Sequence, residues 1–306
     1  MRLIRDADVG GVLTMRDAVA AMTAAFEQFG NGAGSICPRV RAAAELNGKA
    51  SAIATMGAAL PAAGVVGAKV YSTIAGRFNF VIVLFSSVTG EALATIEANE
   101  LTRFRTAAAT AVAMQRLAAR DARTLAIFGT GVQAHAHAEA LLLAHPFERV
   151  LVAGRASAPE FANWVQTEFG VAAAAVDTET TARDGDVIVT ATRASEPLFD
   201  GALVQPGTFV AAVGSSKPAA RELDDTLLAR AELIAVEWLP AAQAEAGEFA
   251  RAAPGVIDAA RVKELGALLV RALAYERRAR DIVVYKSVGI GLEDVALAHW
   301  VWQRLA

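Results

Sequence analysis

Lys69 and Arg105 are the side chains whose type and setting point first to chemistry. Lys69 sits in Gly67-Ala-Lys-Val-Tyr71 behind an apolar run, with strand-like alternation around it. That pattern aims the amine at a pocket, where desolvation would lower its pKa and fit it to donate a proton or polarise a carbonyl or imine. The competing reading is a solvated lysine on an edge strand. Arg105 lies in Leu101-Thr-Arg-Phe-Arg-Thr-Ala-Ala-Ala-Thr110, a helical stretch whose small residues leave room for a ligand. Its guanidinium fork suits a carboxylate, and Thr106 is placed to donate to a cofactor phosphate. Ordinary solvated helix charges at Arg103 and Arg105 are the alternative. Arg39, after Pro38, is a third candidate.

A second chemical signal is Thr124-Leu-Ala-Ile-Phe-Gly-Thr-Gly-Val-Gln-Ala-His-Ala-His137. It reads as a buried strand that stops at Gly129 and reopens as a helix after Gly131, with the spacing G-x-G-x-x-A. Gly129 takes the tight turn, Gly131 lets the backbone approach a pyrophosphate, and Ala134 lets the helix pack close on the strand. The helix start then offers free N–H groups and a positive dipole end to the phosphates. A second strand follows at Arg149-Val-Leu-Val-Ala153 and runs into Gly154-Arg155-Ala-Ser157. An acid there would favour NAD; Arg155 and Ser157 favour NADP, with NAD still possible.

The elements that must hold these groups fall into two sets. Residues 15–29 place Val19, Met22, Ala25 and Phe26 on one helical face, and Asn31-Gly32-Ala33-Gly34 stops the helix. Strands are expected at residues 50–56 and 67–71, and a hairpin from 80–85 and 91–96 about Thr89-Gly90. A helix from Glu100 breaks near Asp121. Beyond it, strands at 186–190, 208–213 and 232–236 alternate with helical or loop segments, as a parallel doubly wound sheet demands. The fold class expected is α/β: a Rossmann-type domain over residues 120–280, and a mixed α+β substrate and dimerisation domain over 1–119, completed by 281–306.

Composition narrows the class. The 306 residues carry a net charge of −3 with both signs interspersed, which argues against a nucleic-acid surface. Apolar runs break before the ~18 residues of a membrane span, and the start shows no signal-peptide pattern. A single cysteine, Cys37, excludes an internal disulfide and suits the cytoplasm. His135 and His137 are two apart on a helix and make a poor metal pair, so no metal is expected. Nor does a Gly-x-Ser-x-Gly elbow argue for a hydrolase.

Taken together, Leu101-Thr-x-x-Arg105-Thr-Ala-Ala, Gly129-x-Gly131-x-Gln133-Ala134, Arg221-Glu-Leu-Asp224 after Val213-Gly214, and Lys286-Ser-Val-Gly289-x-x-x-Glu293-Asp294 resemble the ornithine cyclodeaminase/mu-crystallin family over nearly the whole chain. The resemblance implies a homodimer with a nicotinamide cofactor. It places Lys69 and Arg105 on the family's substrate-binding Lys and Arg, and Arg39 on its other carboxylate-binding Arg. The cofactor set expected from the turn, the strand ends and these motifs is Thr106, Gly129, Thr130, Gly131, Val132, Gln133, Arg155, Ser157, Thr190, Val213, Gly214, Ser287 and Gly289. One departure stands out: ornithine-cyclising members carry an aspartate after the Val213-Gly214 position, where this chain has Ser215-Ser216. A hydroxyl replaces neither a base nor an ammonium partner at neutral pH. The expected activity is therefore NAD(P)H-dependent reduction of a small 2-imino carboxylate, reversible as an amino-acid dehydrogenase. Candidate substrates are iminosuccinate, pyrroline-2-carboxylate and the imine of pyruvate. Arg77 and Lys217 are either a second carboxylate site or solvated surface charges. Ornithine cyclodeamination and a non-catalytic, crystallin-like NADP-binding protein are the alternatives.

Overall fold

A computed structural model describes residues 1–74, 77–271 and 275–306, with every side chain in those ranges except that of Lys49. It divides into two compact units, residues 1–109 with 289–306, and residues 110–288.

The first unit is built on one six-stranded sheet. Its elements are β1 (Arg2–Ile4), α1 (Asp6–Val12), α2 (Met15–Gly30), β2 (Ser35–Leu46), β3 (Lys49–Leu60), β4 (Val65–Ile74), β5 (Arg77–Ser86), β6 (Ala92–Glu97) and the first part of α3 (Asn99–Leu117). Ala75 and Gly76, in the stretch around Arg77, lie outside the described residues. The strand order is β1-β6-β5-β4-β3-β2, antiparallel except for β1 on β6. Thr14 starts α2 by accepting from the Asp17 amide at 3.2 Å, and Ala18, Met22, Ala25 and Phe26 form its buried face. The register aligns Met56, Lys69, Ile82 and Ile96 across β3, β4, β5 and β6, and all four are buried. Lys69 thus lies on an interior strand facing the core, not on an edge. In β2, Pro38 and Arg39 oppose the single residue Met56, and this bulge turns Arg39 to the same side.

The second unit carries an eight-stranded, all-parallel sheet in the order β13-β12-β14-β11-β10-β7-β8-β9. Its elements are β7 (Thr124–Phe128), α4 (Val132–Ala144), β8 (Arg149–Ala153), α5 (Ala158–Phe169), β9 (Ala172–Ala175), α6 (Thr178–Asp184), β10 (Val187–Thr190), β11 (Phe209–Ala212), α7 (Asp225–Arg230), β12 (Leu233–Val236), α8 (Leu239–Glu245), α9 (Gly247–Ala250), β13 (Val262–Glu264), α10 (Leu265–Leu269) and β14 (Val283–Lys286). The central strands β7, β10, β11, β12 and β14 are buried along their whole length, which is why they read as unbroken apolar runs. Residues 281–288, grouped by sequence with the terminal segment, instead provide β14 between β11 and β12. Likewise the end of α3 belongs here: Thr110 bonds the His137 ring at 3.0 Å and Arg116 donates to the Leu268 carbonyl at 3.0 Å.

The last helix, α11 (Gly291–Leu305), returns to the first unit. Its first turn is buried, and Gly291 approaches Gly57 of β3 so closely that a Cβ would lie 2.3 Å from the Gly57 oxygen. No single helix among the described residues is long and apolar enough to cross a membrane.

Candidate active site

In the first unit the predicted cations converge. Lys69 Nζ donates to Asp294 Oδ1 at 2.6 Å, Arg105 Nη1 to Glu293 Oε2 at 2.6 Å, and Arg105 Nε lies 3.2 Å from Asp294 Oδ1. Arg39 Nη2 donates to the Gly289 carbonyl at 2.8 Å while its Nε meets Met56 Sδ at 3.2 Å. The Lys69 side chain is 2% exposed and those of Glu293 and Asp294 0%. Burial pulls the Lys69 ammonium from its usual 10.5 down to about 7; Arg105 and Arg39 push the same way, and Asp294 opposes them. Lys69 is therefore poised to exchange a proton near neutral pH. The rings of Phe80 and Tyr71 stand 5.2 and 6.0 Å from Nζ, so the amine is bordered by aromatic surface.

Gly289, expected with the cofactor set, packs against this cluster. At φ +72° it occupies the left-handed region, and a Cβ there would lie 2.6 Å from Arg105 Nη1. Thr106 turns its hydroxyl back onto the Thr102 carbonyl at 2.8 Å, as threonines inside helices commonly do.

In the second unit the glycine turn has the geometry its spacing requires. Gly129, at φ +108°, donates to the Ala153 carbonyl at 2.9 Å, and a Cβ would lie 2.6 Å from the Ala191 oxygen. Gly131 and Val132 open α4 exposed to solvent, whereas Ala134 is buried against the strand. Gln133 Oε1 is buried and has no hydrogen-bond partner among the described residues. Thr130 and Ser157 share a 2.6 Å hydroxyl hydrogen bond, which ties the turn to the loop after β8, where Arg155 is exposed. Exposed amides at a helix start, a backbone too close for side chains and an unfilled polar atom together fit a dinucleotide pyrophosphate.

Other predicted cofactor positions are engaged by two carboxylates: Glu222, which lies in the Arg221–Asp224 motif but had no role assigned, and Glu237, which lies outside every motif. Glu222 accepts from the Thr190 hydroxyl, the Gly214 amide, and the Thr192 amide and hydroxyl, all at 2.7–2.8 Å. It thereby clamps the loop ends beyond β10 and β11, including Val213-Gly214. Glu237 accepts from the Ser287 hydroxyl at 2.6 Å and the Val288 amide at 2.9 Å, so the Ser287 hydroxyl is committed within the protein. Lys286 Nζ donates to the Ser215 carbonyl at 2.9 Å and lies 3.1 Å from Glu248 Oε2, fixing the start of the Ser215-Ser216 departure. The signal available in sequence was an acid directly after an apolar strand, as at Glu237. His137 is buried and held near 4 by desolvation, hence neutral. Among the described residues no group of three His, Cys, Asp or Glu is placed to hold a metal ion. Arg77 and Lys217 are both exposed.

Residues 2–306 match the ornithine cyclodeaminase/mu-crystallin family. The chain belongs to that family. Among curated relatives, Δ1-pyrroline-2-carboxylate reductase of Bacillus cereus is 35% identical over 231 residues, covering 74% of this chain and 71% of the relative. Among solved structures, a probable ornithine cyclodeaminase of Bordetella pertussis Tohama I superposes with a TM-score of 0.95 at 43% identity, covering 100% of this chain and 97% of that one. Thermococcus litoralis Δ1-pyrroline-2-carboxylate reductase, in complex with NADH and L-proline, gives 0.91 at 26% identity over 99% and 97% of the two chains. Within this family the chain falls in the reductase branch.

Proposed function

We propose that the protein reduces a small cyclic or aliphatic 2-imino monocarboxylate with a nicotinamide dinucleotide, Δ1-pyrroline-2-carboxylate being the leading candidate. The observation that carries this reading is the buried Lys69, held at the edge of its titration range beside Arg105. Arg105 and Arg39 bind the carboxylate, which takes over charge that Glu293 and Asp294 now compensate. Lys69 gives its proton to the substrate nitrogen as Cα is reduced, and takes it back in the oxidative direction. When bound, the dihydronicotinamide supplies the hydride; the protein contributes placement, exclusion of water and the proton. The turn at Gly129–Gln133 holds the pyrophosphate, and Arg155 with Ser157 favours NADPH over NADH.

Substrate choice follows from the surroundings of Lys69. Met56, Tyr71 and Phe80 offer apolar and aromatic surface to a ring or short alkyl chain. Arg77, a candidate for a second carboxylate, stands five residues along β5 from the register partner of Lys69, roughly 17 Å away at 3.3–3.4 Å per residue. A dicarboxylate such as iminosuccinate gains nothing from it.

A second reading, ornithine cyclodeamination, is favoured by the description of the B. pertussis relative as a probable ornithine cyclodeaminase. It lacks the aspartate base, because Ser215-Ser216 stands there. The protein also acts as a homodimer in this proposal. Val40, Val70 and Val81 align on the outer face of the first sheet, and Val40, Ile53, Val81 and Phe85 are 60%, 54%, 36% and 37% exposed, an apolar patch that suits a copy of itself. The test is spectrophotometric: NADPH and NADH oxidation with Δ1-pyrroline-2-carboxylate, iminosuccinate, and pyruvate plus ammonia. The reading requires the cyclic monocarboxylate to lead; turnover confined to iminosuccinate, or ammonia release from ornithine, would overturn it.

A further inference from the structure

We propose that Asp294 is the positioning residue for proton transfer, holding the Lys69 ammonium in place and keeping it charged for delivery to the substrate nitrogen. The proposal rests on the imine-reductase reading above. Several elements pack around Lys69, and the charged or titratable groups they bring are few. β2 brings Arg39, β4 Tyr71, α3 Arg105, and α11 Glu293 and Asp294; β3 and β5 bring the uncharged Met56, Phe80 and Ile82. Two guanidiniums and burial all disfavour a third positive charge. The aromatic faces favour it weakly. Among the described residues Asp294 alone reaches bonding distance of Nζ, at 2.6 Å.

The placement of Asp294 suits that task. It lies in the first turn of α11, where the helix dipole stabilises a carboxylate. Gly291 seats that turn directly on β3, one residue from Met56, the register partner of Lys69. Asp294 Oδ2 is buried and has no hydrogen-bond partner among the described residues, so within them the negative charge is shared by Lys69 and Arg105. In the reductive step the C=N carbon gains the hydride and its electron pair from the dihydronicotinamide. The π pair moves to nitrogen, nitrogen takes the proton from Nζ, and Lys69 is left neutral until solvent reprotonates it. Asp294 holds the amine in this step and is neither acid nor base.

The five lysines allow a direct readout. The 306-residue chain labelled with 13C at lysine Cε is titrated by NMR, Lys69→Met assigning the resonance, alongside pH profiles of turnover in both directions. Asp294→Asn is expected to move the Lys69 titration and the falling limb of reduction to lower pH by one unit or more, so that reduction at about pH 8 drops roughly tenfold. The Michaelis constant for the imino acid changes little, because Arg105 and Arg39 remain. In the oxidative direction the same variant retains a larger share of its maximal rate at low pH, since the free amine is the form required. Asp294→Glu restores wild-type behaviour in all three. Where Asp294→Asn gives no folded protein, Asp294→Ser carries the same expectations. A Lys69 titration unmoved in the neutral variant, or a loss confined to the Michaelis constant, overturns the proposal. Should the wild-type protein reduce no imine, the functional reading fails while the NMR titration still decides the Asp294–Lys69 coupling.

Discussion

Gly289→Ala tests the assignment of this glycine to the substrate cluster rather than to the dinucleotide. At φ +72° an alanine pays about 1–2 kcal/mol in backbone strain. Its Cβ would lie 2.6 Å from Arg105 Nη1, so the guanidinium must retreat until the contact reaches the 3.4 Å of ordinary van der Waals packing. That movement works against the 2.6 Å bond from Nη1 to Glu293 and against the aim of the fork at a substrate carboxylate. A displacement near 1 Å in a substrate-positioning group costs on the order of 100-fold in rate. The expected variant is therefore folded, lower in melting temperature, and on the order of 100-fold weaker in kcat/KM for the imino acid, chiefly through KM. Dinucleotide affinity, followed by tryptophan fluorescence, is expected to stay at the wild-type value, because the turn at Gly129 is untouched. An unchanged KM with a tenfold loss of dinucleotide affinity would refute this reasoning and return Gly289 to the cofactor set.

Lys69→Met is expected to lower turnover about 10²–10⁴-fold with dinucleotide binding intact; turnover within a few-fold of wild type would remove Lys69 from the chemistry. The folded-state pKa of Lys69 is depressed, so the unfolded chain binds the extra proton between about 7 and 10.5, and stability rises with pH across that window. Below the window the ammonium is charged in both states and the burial penalty is felt in full. Urea unfolding at increasing pH is expected to show this rise in wild type and a flatter profile in Lys69→Met; parallel profiles would contradict it. Arg155→Ala is expected to raise the Michaelis constant for NADPH roughly three- to tenfold, the low end because the side chain is exposed, and to leave that for NADH alone. Equal effects on both cofactors would discard Arg155 as a phosphate clamp. Val81→Lys, on the outer face of the first sheet, is expected to shift the protein from dimer to monomer in light scattering, and a wild-type monomer would refute that interface.

Much of this was legible in sequence because the signals are local. Two apolar runs about the Thr89-Gly90 turn marked the hairpin of β5 and β6, and the G-x-G-x-x-A spacing marked the dinucleotide turn. The 12-residue strand β3 runs past the segment expected at residues 50–56, and β2 extends the weak alternation of residues 39–43 in both directions through pairing with β3. β14 was misgrouped because chain position suggested a terminal segment, whereas burial on both faces put it in the centre of a parallel sheet. For the site, Lys69 and Arg105 announced themselves by a charge set among small or apolar residues. Their carboxylates did not: Asp294 is 225 residues from Lys69, and Glu293 is 188 from Arg105. Adjacency in space across that separation has no local trace in one sequence.

The most direct measurement is isotopic. With NADPH or NADH deuterated at nicotinamide C4 and Δ1-pyrroline-2-carboxylate as substrate, the account predicts proline carrying one deuterium at Cα, formed one for one with oxidised cofactor. Proline formed from ornithine with release of ammonia and no net cofactor oxidation would contradict it.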